Sequence, residues 1–358
     1  MRFQVDFDQQ PLLVIWEVTR ACALACRHCR ASAIDQRDPN ELSLEEGCRL
    51  LDEVKELGTP IVVLSGGDPL QREDLEDLIA YGKSIGLRMG TIPAGTPRLS
   101  RERLASLQAS GVDQVAFSID APNAADHDGF RQVPGSFDLT LQGARWAGEL
   151  GIPLQINTVF HQGNRHQIRE LCSLVQSLNI VFWEVFFLVP TGRGSELQGC
   201  SAAEMEEIFA ELYALNQSAD FVIKVTEAQQ YRRFVQQQEG RRSAHSPLRE
   251  IGARRGHPGS IGRSSRVVNA GSGFCFIDHV GKICPSGFLP LERGNVRQHR
   301  LADVYRSDEL FVQLRDPLLL KGKCSRCEYK RDCGGSRSRA WALSGDPFAE
   351  EPFCVLER

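Results

Sequence analysis

The chain has 358 residues, 42% hydrophobic and 25% charged, with 42 Lys and Arg against 46 Asp and Glu for a net charge of −4. That is an ordinary soluble composition with room for a large core and two domains, and its balance makes no electrostatic case for nucleic acid or a membrane surface. No apolar run approaches the roughly 18–20 residues of a membrane span, and the opening MRFQVDFDQQPLL lacks the charged-then-apolar order of a secretion signal, so a cytoplasmic protein is expected.

Residues 1–11 read as a short N-terminal extension. From residue 12 to about 225, short β-type runs alternate with helical stretches. LLVIWEV (12–18) is a strand by its β-branched and aromatic content. LSLEEGCRLLDEVKELG follows as an amphipathic helix, with Ser43 as N-cap, Glu46 three residues on, and Gly58 at the far end. Then come IVVLS, a helix over 71–84, RMGTI, a helix over 99–109, QVAFSI, a helix over 137–150, PLQINTVF, a helix over 164–178, VFWEVFFLV and a helix over 201–215. Six strands with a helix between each pair predict a parallel α/β sheet with right-handed crossovers. A partial (β/α)6 barrel and an open doubly wound sheet both fit. In either, the chemistry belongs at the C-terminal ends of the strands.

Residues 226–270 break the pattern. From 232 to 266 there are nine Arg against two Glu. The stretch reads either as a solvated linker or as a basic lid over an anionic substrate. In the second case, replacing Arg232 and Arg233 should weaken that substrate. Beyond it, GFCFIDHVGKICPSG predicts a β-hairpin turning at His279-Val280-Gly281. Residues 271–358 form a small, cysteine-bearing unit short of periodic elements, a size of domain that metal often staples.

Twelve cysteines in a cytoplasmic chain more often hold metal than disulfides. Cys22, Cys26 and Cys29 form a C-x3-C-x2-C set on the loop after the first strand. Cys324, Cys327, Cys333 and Cys354 form a second set. Cys48, Cys172, Cys200, Cys275 and Cys284 are scattered and read as small buried hydrophobes. A closed zinc site needs four ligands, and His28 is wedged between the first set's cysteines. Three thiolates suit a [4Fe–4S] cluster with one iron left open for a small molecule.

CALACRHC resembles the cluster loop of the radical S-adenosylmethionine (SAM) enzymes. LSGGDPL (64–70) resembles their Gly-Gly-Glu-Pro segment, with Asp68 for the usual Glu. FSIDAPNAADHDGFR (117–131) resembles the stretch after their fourth strand, and VPTGRG (189–194) the segment after the sixth. The resemblance implies that the open iron chelates the amino and carboxylate groups of SAM. It implies that Gly66 and Gly67 meet that amino group with their backbone, and that Asp68 faces the ammonium. Ser118 and Asp120 would contact SAM, Arg131 would pair with a carboxylate of SAM or substrate, and His28 would lie against the adenine. The family's Thr-Asn-Gly after the third strand is here IPAGT, and Asn157 on the fifth strand is placed to compensate. No catalytic side chain is singled out, because the 5′-deoxyadenosyl radical does the work. An electron donor such as flavodoxin or ferredoxin is implied.

The tail resembles the SPASM-type auxiliary domain, which usually carries two clusters. Two of that pattern's cysteines are replaced here by Ser286 and Arg337. One auxiliary [4Fe–4S] cluster is therefore expected, on Cys324, Cys327, Cys333 and Cys354, with Cys275 and Cys284 as non-ligands. The segments look most like the radical SAM enzymes of heme d1 synthesis and the alternative heme pathway, which implies a tetrapyrrole substrate. The alternative is a maturase of a ribosomally made peptide, although the eleven residues before the first strand are too few for a leader-binding domain. A non-enzymatic iron–sulfur electron carrier is the third alternative.

Overall fold

The computed structural model describes residues 5–240 and 267–357. The alternating pattern folds as parallel β/α units. In chain order they are β1 (Leu13–Glu17), α1 (Leu44–Leu57), β2 (Ile61–Ser65), α2 (Leu75–Ser84), β3 (Arg88–Thr91), α3 (Arg101–Ala109) and β4 (Gln114–Ser118). There follow α4 (Ala124–Arg131), α5 (Ser136–Glu149), β5 (Leu154–Phe160), α6 (Ile168–Ser177), β6 (Phe182–Phe187) and α7 (Ala202–Asn216). Ser43 and Glu46 make the expected capping box on α1, and Gly58 closes it. Ser100, Asn123 and Ser201 cap α3, α4 and α7 through their side-chain oxygens.

Three elements differ from expectation. α4 is eight residues long and buries only His127, Phe130 and Arg131, too little apolar surface to register as a periodic helix. β7 (Val222–Thr226) is half-buried along its whole length and forms one edge of the sheet. α8 (Gln230–Gly240) then continues the β/α pattern where a break was expected. The parallel units therefore number seven strands rather than six. The rest of the basic segment, 241–266, lies outside the described residues, and the choice between lid and linker lies there with it.

The tail contributes β8 (Phe274–Ile277), β9 (Lys282–Cys284), β10 (Gly294–Asn295) and the short helices α9 (Leu301–Ser307), α10 (Glu309–Leu314), α11 (Gly322–Arg326) and α12 (Arg337–Ser344). The hairpin turns at Asp278–Gly281, as predicted. It is not a separate layer. β8 pairs in parallel with β1, Leu13 opposite Phe274 and Trp16 opposite Ile277, so one sheet runs across the boundary expected at 271. Its order is β10-β9-β8-β1-β2-β3-β4-β5-β6-β7. A doubly wound sheet reverses strand order at a switch point. Here β1 to β7 follow chain order, so the partial barrel is the architecture.

Alternate residues of each strand, among them Trp16, Leu64, Phe117, Ile156 and Trp183, join the helices in one large core. The other parity faces the inside of the barrel. Near β1 and β2 this inner face is closed by Phe7, Leu12 and Ile61. No helix among the described residues is long and apolar enough to cross a membrane.

Candidate active site

Cys22, Cys26 and Cys29 sit on the loop that leaves the C-terminal end of β1, at the mouth of the barrel. Cys26 is buried, and Cys22 and Cys29 are half-buried. Backbone amides donate to two of the sulfurs, Leu24 to Cys22 at 3.3 Å and Ala33 to Cys29 at 3.4 Å. Burial pushes the Cys22 thiol up to about 12. Burial also raises Cys26, against the pull of the neighbouring Arg131. A metal that takes the place of the proton removes that penalty.

Three arginines hold the loop in shape. Arg20 donates to the carbonyls of Ala31 and Ser32 at 2.7 and 3.1 Å. Arg131 Nη1 lies 3.6 Å from Cys26 Sγ. Arg193, from the segment after β6, donates through Nε to the Cys26 carbonyl at 2.9 Å, and its backbone amide donates to the Cys29 carbonyl at 3.1 Å. A Cβ on Gly192 would lie 2.5 Å from the Cys29 carbonyl oxygen, so only glycine lets VPTGRG seat against the loop. The sequence singled out that segment, but nothing in it identified Arg193 as a brace.

Gly66 and Gly67 act in the same way on the other flank. A Cβ on Gly66 would come within 2.4 Å of the Thr19 carbonyl, and one on Gly67 within 2.4 Å of Ala21's. The loops after β1 and β2 are thereby pressed together, with Gly67 donating to Thr19 and Asp68 to Ala21, both at 2.8 Å. The Asp68 side chain works at the same junction. Its carboxylate is fully buried and accepts from Thr96 Oγ1 at 2.6 Å, Leu70 N at 3.1 Å and Ala94 N at 3.2 Å. One methylene shorter than Glu, it ties the end of β2 to IPAGT after β3.

Asp120 and Arg131 are brought together. They form a buried ion pair, and the second Asp120 oxygen accepts from Val159 N at 2.9 Å. The arginine engages Asp120 and Cys26 through its two terminal nitrogens, and its Nε is buried without a partner among the described residues. Burial opposes the charge on Asp120, but Arg131 outweighs it and holds the carboxyl below its usual range.

Ser118 and Asn157 stand in register on β4 and β5, facing into the barrel. His28 is stacked flat on Phe130, ring centres 4.5 Å apart, and Phe130 is stacked in turn on His161 at 4.6 Å. This ladder unites the cluster loop, α4 and the end of β5. Burial, with Arg131 nearby, lowers His28 to about 3, so the ring is neutral, and its Nδ1 is buried without a partner. A neutral flat ring of this kind suits a purine.

The second set of cysteines is brought together. Cys324, Cys327, Cys333 and Cys354 line one recess beside Arg233 and Glu351. Glu351 N donates to Cys324 Sγ at 3.3 Å and Gly335 N to Cys333 Sγ at 3.4 Å. Among the described residues no three His, Cys, Asp or Glu groups converge on a single-ion site; the four cysteines line a shared recess instead. Arg337 is buried and donates to the carbonyls of Pro347 and Ala349 at 2.9 and 2.8 Å, and Ser286 Oγ accepts from Phe288 N at 3.1 Å. Both thus do local structural work where the two-cluster pattern has ligands. Cys275 and Cys284 are buried on β8 and β9. Arg233 is paired with Glu206 and almost wholly buried.

A thiol-bearing loop at the C-terminal mouth of a partial parallel barrel defines an iron–sulfur enzyme whose chemistry is done at the strand ends. The chain belongs to the radical SAM superfamily, whose family model matches residues 16–175. It is therefore an enzyme that uses SAM and a [4Fe–4S] cluster. Over 344 residues it is 40% identical to the AdoMet-dependent heme synthase of Nitratidesulfovibrio vulgaris, covering 96% of this chain and 91% of that one. It is 29% identical to the pre-heme d1 synthase of Dinoroseobacter shibae, covering 96% and 86%. Among solved structures, Streptococcus suis SuiB bound to S-adenosylmethionine superposes with a TM-score of 0.74 at 18% identity, covering 97% of this chain and 78% of that one.

Proposed function

We propose that this radical SAM enzyme modifies a carboxylate-bearing side chain of a tetrapyrrole. The observation that carries the proposal is the end-to-end 40% identity to a heme synthase.

In this reading Cys22, Cys26 and Cys29 hold the SAM cluster. The chemistry supplied there is one-electron cleavage of SAM to a 5′-deoxyadenosyl radical that takes hydrogen from substrate. The chain's own residues do the positioning. Arg20, Arg131 and Arg193 fix the loop carbonyls and Cys26, so the sulfurs keep their places. Gly66 and Gly67 present backbone on the methionine side. The open face of His28 takes the adenine, and Ser118 and Asn157 offer polar contacts from inside the barrel. Cys324, Cys327, Cys333 and Cys354 hold one auxiliary [4Fe–4S] cluster. We treat 12–225 as the core and 271–358 as the auxiliary unit, whose hairpin widens the core sheet. A flavodoxin- or ferredoxin-like donor supplies the electrons.

The test is to incubate reconstituted protein, SAM and reductant with a porphyrin that bears carboxylate side chains. Loss or alteration of those side chains, in step with 5′-deoxyadenosine, supports the proposal. Unchanged porphyrin, with a peptide processed instead, would move the assignment to the maturase alternative.

A further inference from the structure

The inner face of the barrel carries a polar row whose far end, Glu184 and Lys224, has no part in the reading above. Ser118, Asn157, Glu184 and Lys224 lie opposite one another on four neighbouring parallel strands, β4 to β7. Their sequence neighbours Phe117, Ile156, Trp183 and Ile223 pack with the helix-side core, so this row faces inward. Barrel interiors are normally filled by branched apolar side chains. Here Lys224 Nζ donates to Glu184 Oε1 at 2.7 Å, and Thr226 Oγ1 donates to the same oxygen at 2.7 Å. Gln155 Nε2 donates to Glu184 Oε2 at 3.0 Å and to Asn157 Oδ1 at 2.7 Å.

The two ends of the ion pair are unequal. The Glu184 side chain is 14% exposed and its oxygens are all engaged, whereas Lys224 is 38% exposed. Among the described residues the ammonium has only Glu184 as partner, which leaves two of its three protons to give. A half-exposed pair of this kind adds little stability, so stability does not account for a lysine inside the barrel. Strands lie about 4.8 Å apart, which puts Lys224 roughly 14 Å along the row from Ser118, beyond the SAM contacts but on the same inward face.

We propose that Lys224 anchors a substrate carboxylate inside the barrel, with Glu184 holding the ammonium in place. This rests on the tetrapyrrole reading and adds to it the point of attachment. A substrate that spans the row keeps one carboxylate at Lys224 while its other edge lies near Ser118, where the radical is generated. Lysine suits the task because its compact ammonium can serve Glu184 and a second carboxylate together. The new bond is charge-assisted at both ends.

The test is an absorbance titration of reconstituted protein with a porphyrin tetracarboxylate and with its tetramethyl ester. Wild type should prefer the acid. Lys224→Met should weaken the acid about 10- to 100-fold, as loss of one charged hydrogen bond predicts, and leave the ester unchanged. Lys224→Arg should recover most of the loss. Iron content and melting temperature check that each variant is folded. Unchanged acid affinity in Lys224→Met overturns the anchor, as does a wild type that binds acid and ester equally. A wild type that binds neither overturns the tetrapyrrole reading and the anchor with it.

Discussion

Arg193 shows what a single residue does here that its sequence context conceals. It lies 160 residues or more from the loop it braces, yet its side chain and backbone bond to the Cys26 and Cys29 carbonyls. Arg193→Ala should therefore leave the fold intact but loosen the cluster loop. A hydrogen bond to a charged group is worth about 1.5–3 kcal/mol, enough to lower iron retention in the three-cysteine set several-fold under chelator challenge. Unaltered retention would mean that the loop is rigid without it. Asp68, Asp120 and Arg131 teach the complementary lesson. Asp68 and Asp120 follow β2 and β4 and Arg131 ends α4, but a motif does not say which neighbours a charge meets. Asp120 and Arg131 are eleven residues apart and meet only because α4 turns back onto the loop.

At the scale of elements, the hairpin is docked by a buried charged cluster. His279 Nδ1 lies 3.1 Å from Glu17 Oε1, its Nε2 lies 3.5 Å from Asp38, and Arg30 holds the other Glu17 oxygen at 2.6 Å. Burial opposes a charged imidazole, but Glu17 outweighs it and raises His279 above its usual value. Burial likewise opposes the Glu17 charge, and Arg30 and His279 outweigh it and lower that carboxyl. A raised histidine stabilises fully below its unfolded value and loses that stabilisation as pH rises through the folded one. A lowered carboxylate stabilises above its unfolded value and loses that as pH falls through the folded one. The pair should thus contribute most between about pH 4.5 and about pH 6.5. Melting temperatures of wild type and His279→Gln should differ most in that window and converge toward alkaline pH. A constant difference would exclude the ion pair as the cause. The hairpin itself was legible in FCFIDHVGKIC, because a turn sequence and flanking β-branched residues are local signals. Its pairing with β1 was not, because Leu13 and Phe274 are joined by nothing local. The six inner strands and their helices were legible for the same reason, by period. β7 and α4 were missed because one is a half-buried edge and the other too short to show a stripe.

For the whole molecule, the two cysteine sets sit on one continuous scaffold. The second is fastened to the barrel by a buried polar bridge. Arg339 reaches the Phe187 and Leu188 carbonyls at the end of β6, both at 3.4 Å, and pairs with Glu351 at 3.2 Å with both side chains 1% exposed. Glu227, after β7, accepts from Ser336 and Ser338. The bonds that cross to the barrel are those from Arg339 to the β6 and Glu227 carbonyls and from Ser336 and Ser338 to Glu227; buried and charge-assisted, they should keep the auxiliary unit fixed to the barrel during turnover. Whether each set holds its own cluster is a matter of counting. The first set offers three sulfurs and the second four, while Arg337 and Ser286 are committed to carbonyl and amide partners elsewhere in the tail. Reconstituted protein should therefore carry about eight irons, two clusters of four. Replacing Cys22, Cys26 and Cys29 with alanine should leave about four, held by the tail, and should abolish SAM cleavage. Replacing the four tail cysteines should leave about four in the barrel loop. A wild-type count near twelve would require ligands beyond these seven cysteines, and a count near four with one zinc would assign the tail to zinc.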